Sequence, residues 1–389
     1  MRSNYLSAGF SINTAYDDNV LLGGTAKPVG DVTYSLGSTL KFDQTTPRMH
    51  NMFAYNPGFT LYQKTSALNA VNQNALLGFQ YRLTPHIAIN VQDTFIQSSN
   101  VFNQPLLLSG TGVSGGTQPS QAAVIAPFVA TLQDSANAQA SYQYSAMGMI
   151  GAGGTFSKQD YPNSSPSSGL SNSNSSGGSV FLNRRLPGTQ YVGATYSYSS
   201  MSASLTGMQS GTQVHTLNGF YTIYLQQTLS FSISSGPQYF VTSQSPFPSL
   251  ASWAPAVTAS MGWQRNHTNL AVSYSKTVSG AGGLLGTFDS TLANASASWR
   301  FGRTWTLGSG ASYMISKSVT PAFFQSSPGG HSISGTASVQ HPIGEHFTME
   351  FGYARLHQSY SEISVISDNP DSDSVHISFS YHFSRPIGR

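Results

Sequence analysis

The residues that could do chemistry in this sequence are ten histidines, a scatter of aspartates and many serines. A hydrolase needs a nucleophile, a base and a group that orients the base, all within hydrogen-bond reach. A structural or catalytic metal centre needs three or four ligands at compatible spacing. His50, His86, His215, His267, His331, His341, His346, His357, His376 and His382 are instead distributed along the whole chain. His341 and His346 share one turn region, with no third ligand nearby in sequence. Gly151-Ala152-Gly153-Gly154 is glycine-rich like a phosphate loop, but no Lys-Ser or Lys-Thr follows it. Asp17-Asp18-Asn19, and Asp368 with Asp371 and Asp373, offer oxygen ligands for calcium, but neither is a full ligand loop. These residues read as polar groups of turns, loops and an interior wall. The expectation is a non-enzyme, with no cofactor, no metal and no catalytic residue.

The elements that carry these residues are strands. Between Asp31 and Phe42, Val32, Tyr34, Leu36, Leu40 and Phe42 share one face, and Thr33, Ser35, Gly37 and Thr39 share the other. Near the C-terminus, Val375, Ile377, Phe379, Tyr381 and Phe383 alternate with His376, Ser378, Ser380 and His382. About 18 such strands can be marked, roughly 22 residues apart, with 16 as the fallback if the glycine-rich Met147–Phe156 stretch and its neighbour fail. Their connections alternate between tight turns, such as Asp43–Arg48, Thr84–His86 and Gly302–Thr304, and longer Ser-, Gly-, Asn- and Pro-rich segments. The longer ones include Asp17–Gly30, Ser98–Ala130, Lys158–Gly178, Thr242–Ala254, Lys317–Gly330 and His357–Ser372.

Composition selects among β architectures. Charged residues make up 8% of the 389, aromatics 12%, and there is no cysteine. A soluble domain carries about a quarter charged residues. Mean hydropathy is nevertheless −0.16, and no run approaches the ~20 apolar residues of a spanning helix. The longest, Ala122 to Ala130, is broken by Pro127. The expectation is one transmembrane antiparallel β-barrel over residues 1–389, with short periplasmic turns, long extracellular loops and both termini periplasmic. The net charge of +3 forms no basic cluster in sequence, which excludes nucleic acid as a partner. No apolar export segment precedes the first strand pattern, so the expectation is a mature form or a fragment, with an export signal and an upstream region outside the given sequence.

Three groups of residues follow from that architecture. Trp263, Trp299, Trp305, Phe301 and Phe347 sit beside short turns in the apolar register, where a girdle at the headgroup level is expected. Trp253 reads as a loop residue. Ser11, Asn13, Asn74, Gln80, Asn90, Gln92, Ser232, Arg300, Ser334 and Glu350 fall on the polar face and should line the lumen, Arg300 and Glu350 being its clear charges. That wall suits neutral hydrophilic solutes, saccharides above all. Residues 98–130 form a possible inward-folded constriction loop, with Leu107, Val124, Ile125 and Phe128 against the wall, because an apolar patch outside the barrel would invite aggregation. Asp93 breaks the pattern, sharing a register with Ile87, Ile89, Val91 and Phe95.

The run Ala15-Tyr16-Asp17-Asp18-Asn19-Val20, the turn Tyr81-Arg82-Leu83-Thr84-Pro85-His86 and the aromatic final strand resemble a family of outer-membrane β-barrel porins. Some of its members accompany exopolysaccharide or cell-surface assembly systems. The resemblance implies a Gram-negative outer-membrane channel, with outer-membrane lipid and lipopolysaccharide around it. It also implies the barrel-assembly machinery as a partner, and a periplasmic polysaccharide-export component. The chain departs from the family's terminal aromatic, since Ser384 to Arg389 follow Phe383. Two other roles stay open: a scaffold or adhesin barrel without transport, and a barrel hydrolase.

Overall fold

The computed structural model describes residues 3–22, 27–98, 129–162, 170–205, 208–244, 248–280, 285–319, 329–360 and 371–386. They form β1 (Ser3–Asp17), β2 (Asp31–Thr45), β3 (Met49–Tyr62), β4 (Ala70–Arg82), β5 (Ile87–Ser98), β6 (Thr131–Ser145), β7 (Gly148–Asp160), β8 (Asn172–Leu186) and β9 (Gln190–Leu205). The second half continues with β10 (Met208–Gln226), β11 (Leu229–Gln244), β12 (Leu250–Arg265), β13 (Thr268–Gly280), β14 (Thr287–Phe301), β15 (Trp305–Ser318), β16 (Gly329–Ile343), β17 (Phe347–Tyr360) and β18 (Asp371–Pro386).

Each strand pairs antiparallel with its successor, and β18 pairs with β1 from Tyr5↔Pro386 to Asp17↔Ser374. The 18-stranded sheet is therefore a closed barrel in which every strand has two neighbours. The fallback of 16 falls away, because glycine-rich β7 and its neighbour β8 pair along their length. The described ends of the chain, β1 at Ser3 and β18 at Pro386, both lie at the end of the short turns. Those turns are tight enough to need left-handed backbone: Gly302 has φ 63° and Gly344 φ 74°, where an L side chain would be strained.

Side chains alternate across this wall, so one face is outside and the other inside. The outer face is apolar and exposed: Phe10, Ile12 and Tyr16 on β1, Leu217 on β10, Phe351 and Tyr353 on β17, Ile377 and Phe379 on β18. Phe351 is 56% exposed and Leu217 55%, in a molecule whose buried side chains are largely Thr, Ser, Gln and Asn. This is the inverse of a soluble domain, where large apolar side chains lead the list of buried types.

Three strands begin earlier than apolar alternation suggests. β8 starts at Asn172, within the stretch read as the Lys158–Gly178 loop, β10 at Met208 and β12 at Leu250. Their early residues, such as Asn172 to Ser176, are polar on both faces, so periodicity has nothing to mark. Trp253 is correspondingly a strand residue of β12. It faces Tyr239 with ring centroids 5.1 Å apart and is 68% exposed on the outer wall.

Candidate lumen and its closure at the loop end

The expected wall residues fall in the register opposite the exposed apolar side chains. Ser11 lies between Phe10 and Ile12, and Arg300 between Trp299 and Phe301. Asn90 faces Gln80 on one neighbour and Gln139 on the other, and Gln92 faces Gly78 and Asn137. Asn13 faces Ser35 and Ser378, and Asn74 faces Asn56 across β3. Ser232 and Thr222 bond through their hydroxyls at 2.8 Å. Ser334 faces Ser312, and Glu350 accepts from Gln340 at 3.0 Å with His376 3.7 Å away.

The interior is not uniform along its axis. On the turn side its residues are accessible. On the loop side they are buried, beginning at Gln238 on β11, Thr216 on β10, Met314 on β15 and Gly352 on β17. Above that level, Thr242, Leu356, Gln358 and Ser372 have almost no exposure. On β13 and β14 the cause can be followed residue by residue. β12 pairs with β13 only from Arg265↔Thr268 to Val257↔Lys276, although β12 continues to Leu250 along β11. Pro255 lies in the part of β12 that has no β13 partner, a position a residue without an N–H tolerates.

Freed from β12, the end of β13 crosses the inner face of β9 to β11. The Gln238 side chain replaces the lost ladder: its Oε1 accepts from Val278 N at 2.9 Å, and its Nε2 donates to Thr277 Oγ1 at 3.2 Å. Val278 packs with Val214 and Phe240, with Met201 and Val319 against them. Thr287, at the start of β14, meets both Thr242 (3.1 Å) and Thr212 through their hydroxyls. The two strands thus form an apolar and hydroxyl-bonded strap inside the loop-end mouth. On another sector of the mouth, Tyr161, just past β7, lies within electrostatic reach of Tyr360 on β17, eight strands away around the barrel. Burial and that second phenol push the Tyr161 hydroxyl's pKa up, so it stays a neutral hydrogen-bonding group.

The two ends also differ in charge. Arg48, Arg82, Arg184, Arg185, Arg265, Arg300, Arg303 and Arg385 lie at the turn end, and Arg355 alone among the described arginines lies at the loop end. The described aspartates show the reverse: only Asp43 is at the turn end. Lys41, Arg82 and Arg185, and with them Asp43, join Arg300 and Glu350 on the inward register. The sequence reading of two clear lumen charges is corrected by these. They escape it because they sit in or beside turns, where a face is not assigned by alternation. A recess of about 450 Å³ opens beside Gln264, Arg265, His267, Asn269, Arg300 and Thr306.

On the outer wall at the turn end, aromatic rings cluster beside the short turns. Trp299 and Phe301 are 5.3 Å apart, Phe301 and Trp305 6.2 Å, and Trp305 stacks on His341 at 4.3 Å. Phe347 meets Tyr381 at 5.0 Å, and Trp263 pairs with Leu229 beside its turn. Leu107, Val124, Ile125 and Phe128 of the expected constriction loop lie outside the described residues. Asp93 keeps its outward register without a bulge and lies diagonal to Asp134 on β6, which faces Lys158. Lys158 in turn pairs with Asp160 at 2.5 Å.

The Asp-Asp-Asn run has a structural part that sequence did not reveal. Asp17 Oδ1 accepts from Asn19 N at 2.8 Å and from Ser372 Oγ at 2.9 Å. Asn19 Nδ2 donates to the Asp371 carbonyl at 2.7 Å, and Asp373 N donates to Asp18 Oδ1 at 2.8 Å. These bonds fasten β1 to β18 where the barrel closes. They bring the two acidic clusters together, with oxygens occupied by N–H and O–H donors. Among the described residues no three His, Cys, Asp or Glu side chains converge as metal ligands.

No family model matches the chain, and no curated protein is similar to it. Among solved structures it is similar to the FrpB iron transporter from Neisseria meningitidis, at 8% identity and TM-score 0.47, covering 97% of this chain and 82% of that one. It is similar to OccK2 (OpdF) of Pseudomonas aeruginosa in complex with glucuronate, at 10% identity and TM-score 0.46, covering 98% of each chain. OccAB3 of Acinetobacter baumannii gives 10% identity and TM-score 0.46, over 98% of this chain and 99% of that one.

Proposed function

We propose that the chain is an integral outer-membrane channel for hydrophilic solutes, with its short turns and both termini facing the periplasm. The observation that carries this reading is the inversion of the wall. A closed sheet satisfies its own backbone, presents large apolar side chains outward and keeps hydroxyls and amides, with Arg82, Arg185 and Arg300, inward, as a barrel in lipid must. Outer-membrane lipid and lipopolysaccharide are then its surroundings, and the aromatic band at the turn end is its periplasmic anchor. The hydroxyl and amide wall supports saccharides as cargo, and the arginines at the turn end favour anions over cations on that side. The family resemblance extends the reading to cargo of a surface-polysaccharide system.

Purified barrel in planar bilayers should conduct, and liposomes containing it should swell in isosmotic mono- and disaccharides. A folded barrel that neither conducts nor admits saccharides, with Gln238→Ala equally silent, would make it a scaffold or adhesin instead.

A further inference from the structure

On the outer wall at the loop end, away from the lumen, three neighbouring strands present a cluster that the channel reading does not use. His331 lies near the start of β16, His357 near the end of β17, and Asp371 opens β18. Register brings them together. Asp371 faces His357 directly, while His357 faces Ile333, so His331 is its diagonal neighbour across β16. The Nε2 atoms of the two imidazoles lie 3.3 Å apart, within hydrogen-bond reach, with ring centroids at 5.3 Å. His357 Nδ1 is 3.1 Å from Asp371 Oδ1, which Arg355 Nη2 also approaches at 3.4 Å. Arg355 lies near Asp373 as well, and Tyr353 donates to that carboxylate.

We propose that His331 and His357 form a surface site for a single borderline-soft divalent cation, such as Zn²⁺ or Cu²⁺. Two nitrogens each 2.0–2.1 Å from a tetrahedral ion lie about 3.3–3.4 Å from one another, the spacing seen here, so an ion takes the place of the hydrogen bond between the rings with little movement of either. The Asp371 carboxylate fixes the proton of His357 on Nδ1 and leaves Nε2 as a bare donor of its lone pair. That is the carboxylate–histidine arrangement which orients ligands in metal sites and raises their basicity. His357 and Asp371 are partly exposed, so an ion reaches the site from outside and water fills its remaining positions. Imidazole favours Zn²⁺ and Cu²⁺ over Mg²⁺ and Ca²⁺, which take oxygen ligands. A bound ion would tie β16 to β17 at the outer rim, beside the seam where Asn19 meets Asp371.

The test is titration of the folded, detergent-solubilised barrel with Zn²⁺ alone, by calorimetry, and with Cu²⁺ alone, by electron paramagnetic resonance. One Zn²⁺ per barrel is expected, and a Cu²⁺ spectrum with hyperfine coupling to two nitrogens. His331→Gln and His357→Gln should each remove this site, and Asp371→Asn should weaken it roughly 10- to 100-fold, the usual effect of a supporting carboxylate. His50→Ala, at the other end of the barrel, should leave it intact. Heat-modifiable gel mobility confirms that each variant is folded. Binding that survives both His331→Gln and His357→Gln, or that is lost equally in His50→Ala, would be adventitious and would overturn the proposal.

Discussion

The two ends of the lumen are built from the same alternating strands, yet they differ in what the inward positions do. At the turn end, Arg300, Arg185, Lys41 and Glu350 stand in an accessible wall. At the loop end, Thr242 and Phe240 on β11 and Leu356 and Gln358 on β17 are buried. Over β9 to β14 the difference lies in strand pairing rather than in residue size. Where β12 and β13 stay paired, the barrel keeps its circumference. Where they part after Lys276, β13 turns inward, and a glutamine side chain supplies the missing hydrogen bonds. A closed barrel thus gains an element packed on its inner wall by giving up part of one ladder.

The largest effect is expected from breaking that element. Gln238→Ala leaves Val278 N without its bond inside a buried contact, at a cost of about 1–3 kcal/mol. If the strap is the gate, this destabilises the closed state and raises open probability roughly 5- to 150-fold in single-channel records. The reverse change is a lock. Thr242 and Thr287 hydroxyls are 3.1 Å apart, so the pair Thr242→Cys with Thr287→Cys should hold the strap shut when oxidised and release it on reduction. A conductance indifferent to both changes would place the closure elsewhere in the mouth.

A smaller effect is expected at the open end. Arg300→Glu reverses one inward charge in a wide, hydrated entrance, where screening holds its effect to about 1 kcal/mol. The anion-to-cation permeability ratio should fall by roughly 2- to 5-fold, and more at low ionic strength. Lys317→Glu reverses a charge on the outer wall of the loop end and should leave the ratio unchanged. Equal shifts in the two variants would show that the turn-end wall does not set selectivity.

The sequence shows the barrel more plainly than the gate because the two depend on different information. Period-2 alternation records which face meets an apolar surrounding, so the 18 strands and their closure follow from residues such as Phe10, Ile12, Phe379 and Tyr381. Strand tips carry no such record. Asn172 to Ser176 are polar on both faces, and β8 is therefore longer than its periodicity. The strap depends on a long-range replacement, Gln238 for a stretch of β12, and a glutamine in a polar register looks the same whether it faces water or Val278. The charge asymmetry is legible only after the strands are threaded. Arginines far apart in sequence, from Arg48 to Arg385, meet at one rim because every second connection returns there.

The smallest effect, and the one that sharpens the comparison most directly, concerns the tryptophans. Trp263, Trp299 and Trp305 stand by the short turns, and Trp253 stands at the loop end of β12. Trp-to-Phe changes on the exposed outer wall keep most of the ring contacts and should alter stability by less than about 1 kcal/mol. Variants that retain only Trp253 or only Trp299 then report the two rims separately. In both, lipid quenchers at headgroup depth should be more effective than quenchers at the bilayer centre. A bulky, membrane-impermeant quencher added outside oriented outer-membrane vesicles should reach Trp253, which is 68% exposed, and spare Trp299. Equal quenching of the two would mean that they do not lie on opposite sides of the membrane. The arginine-lined end could then not be assigned to the periplasm.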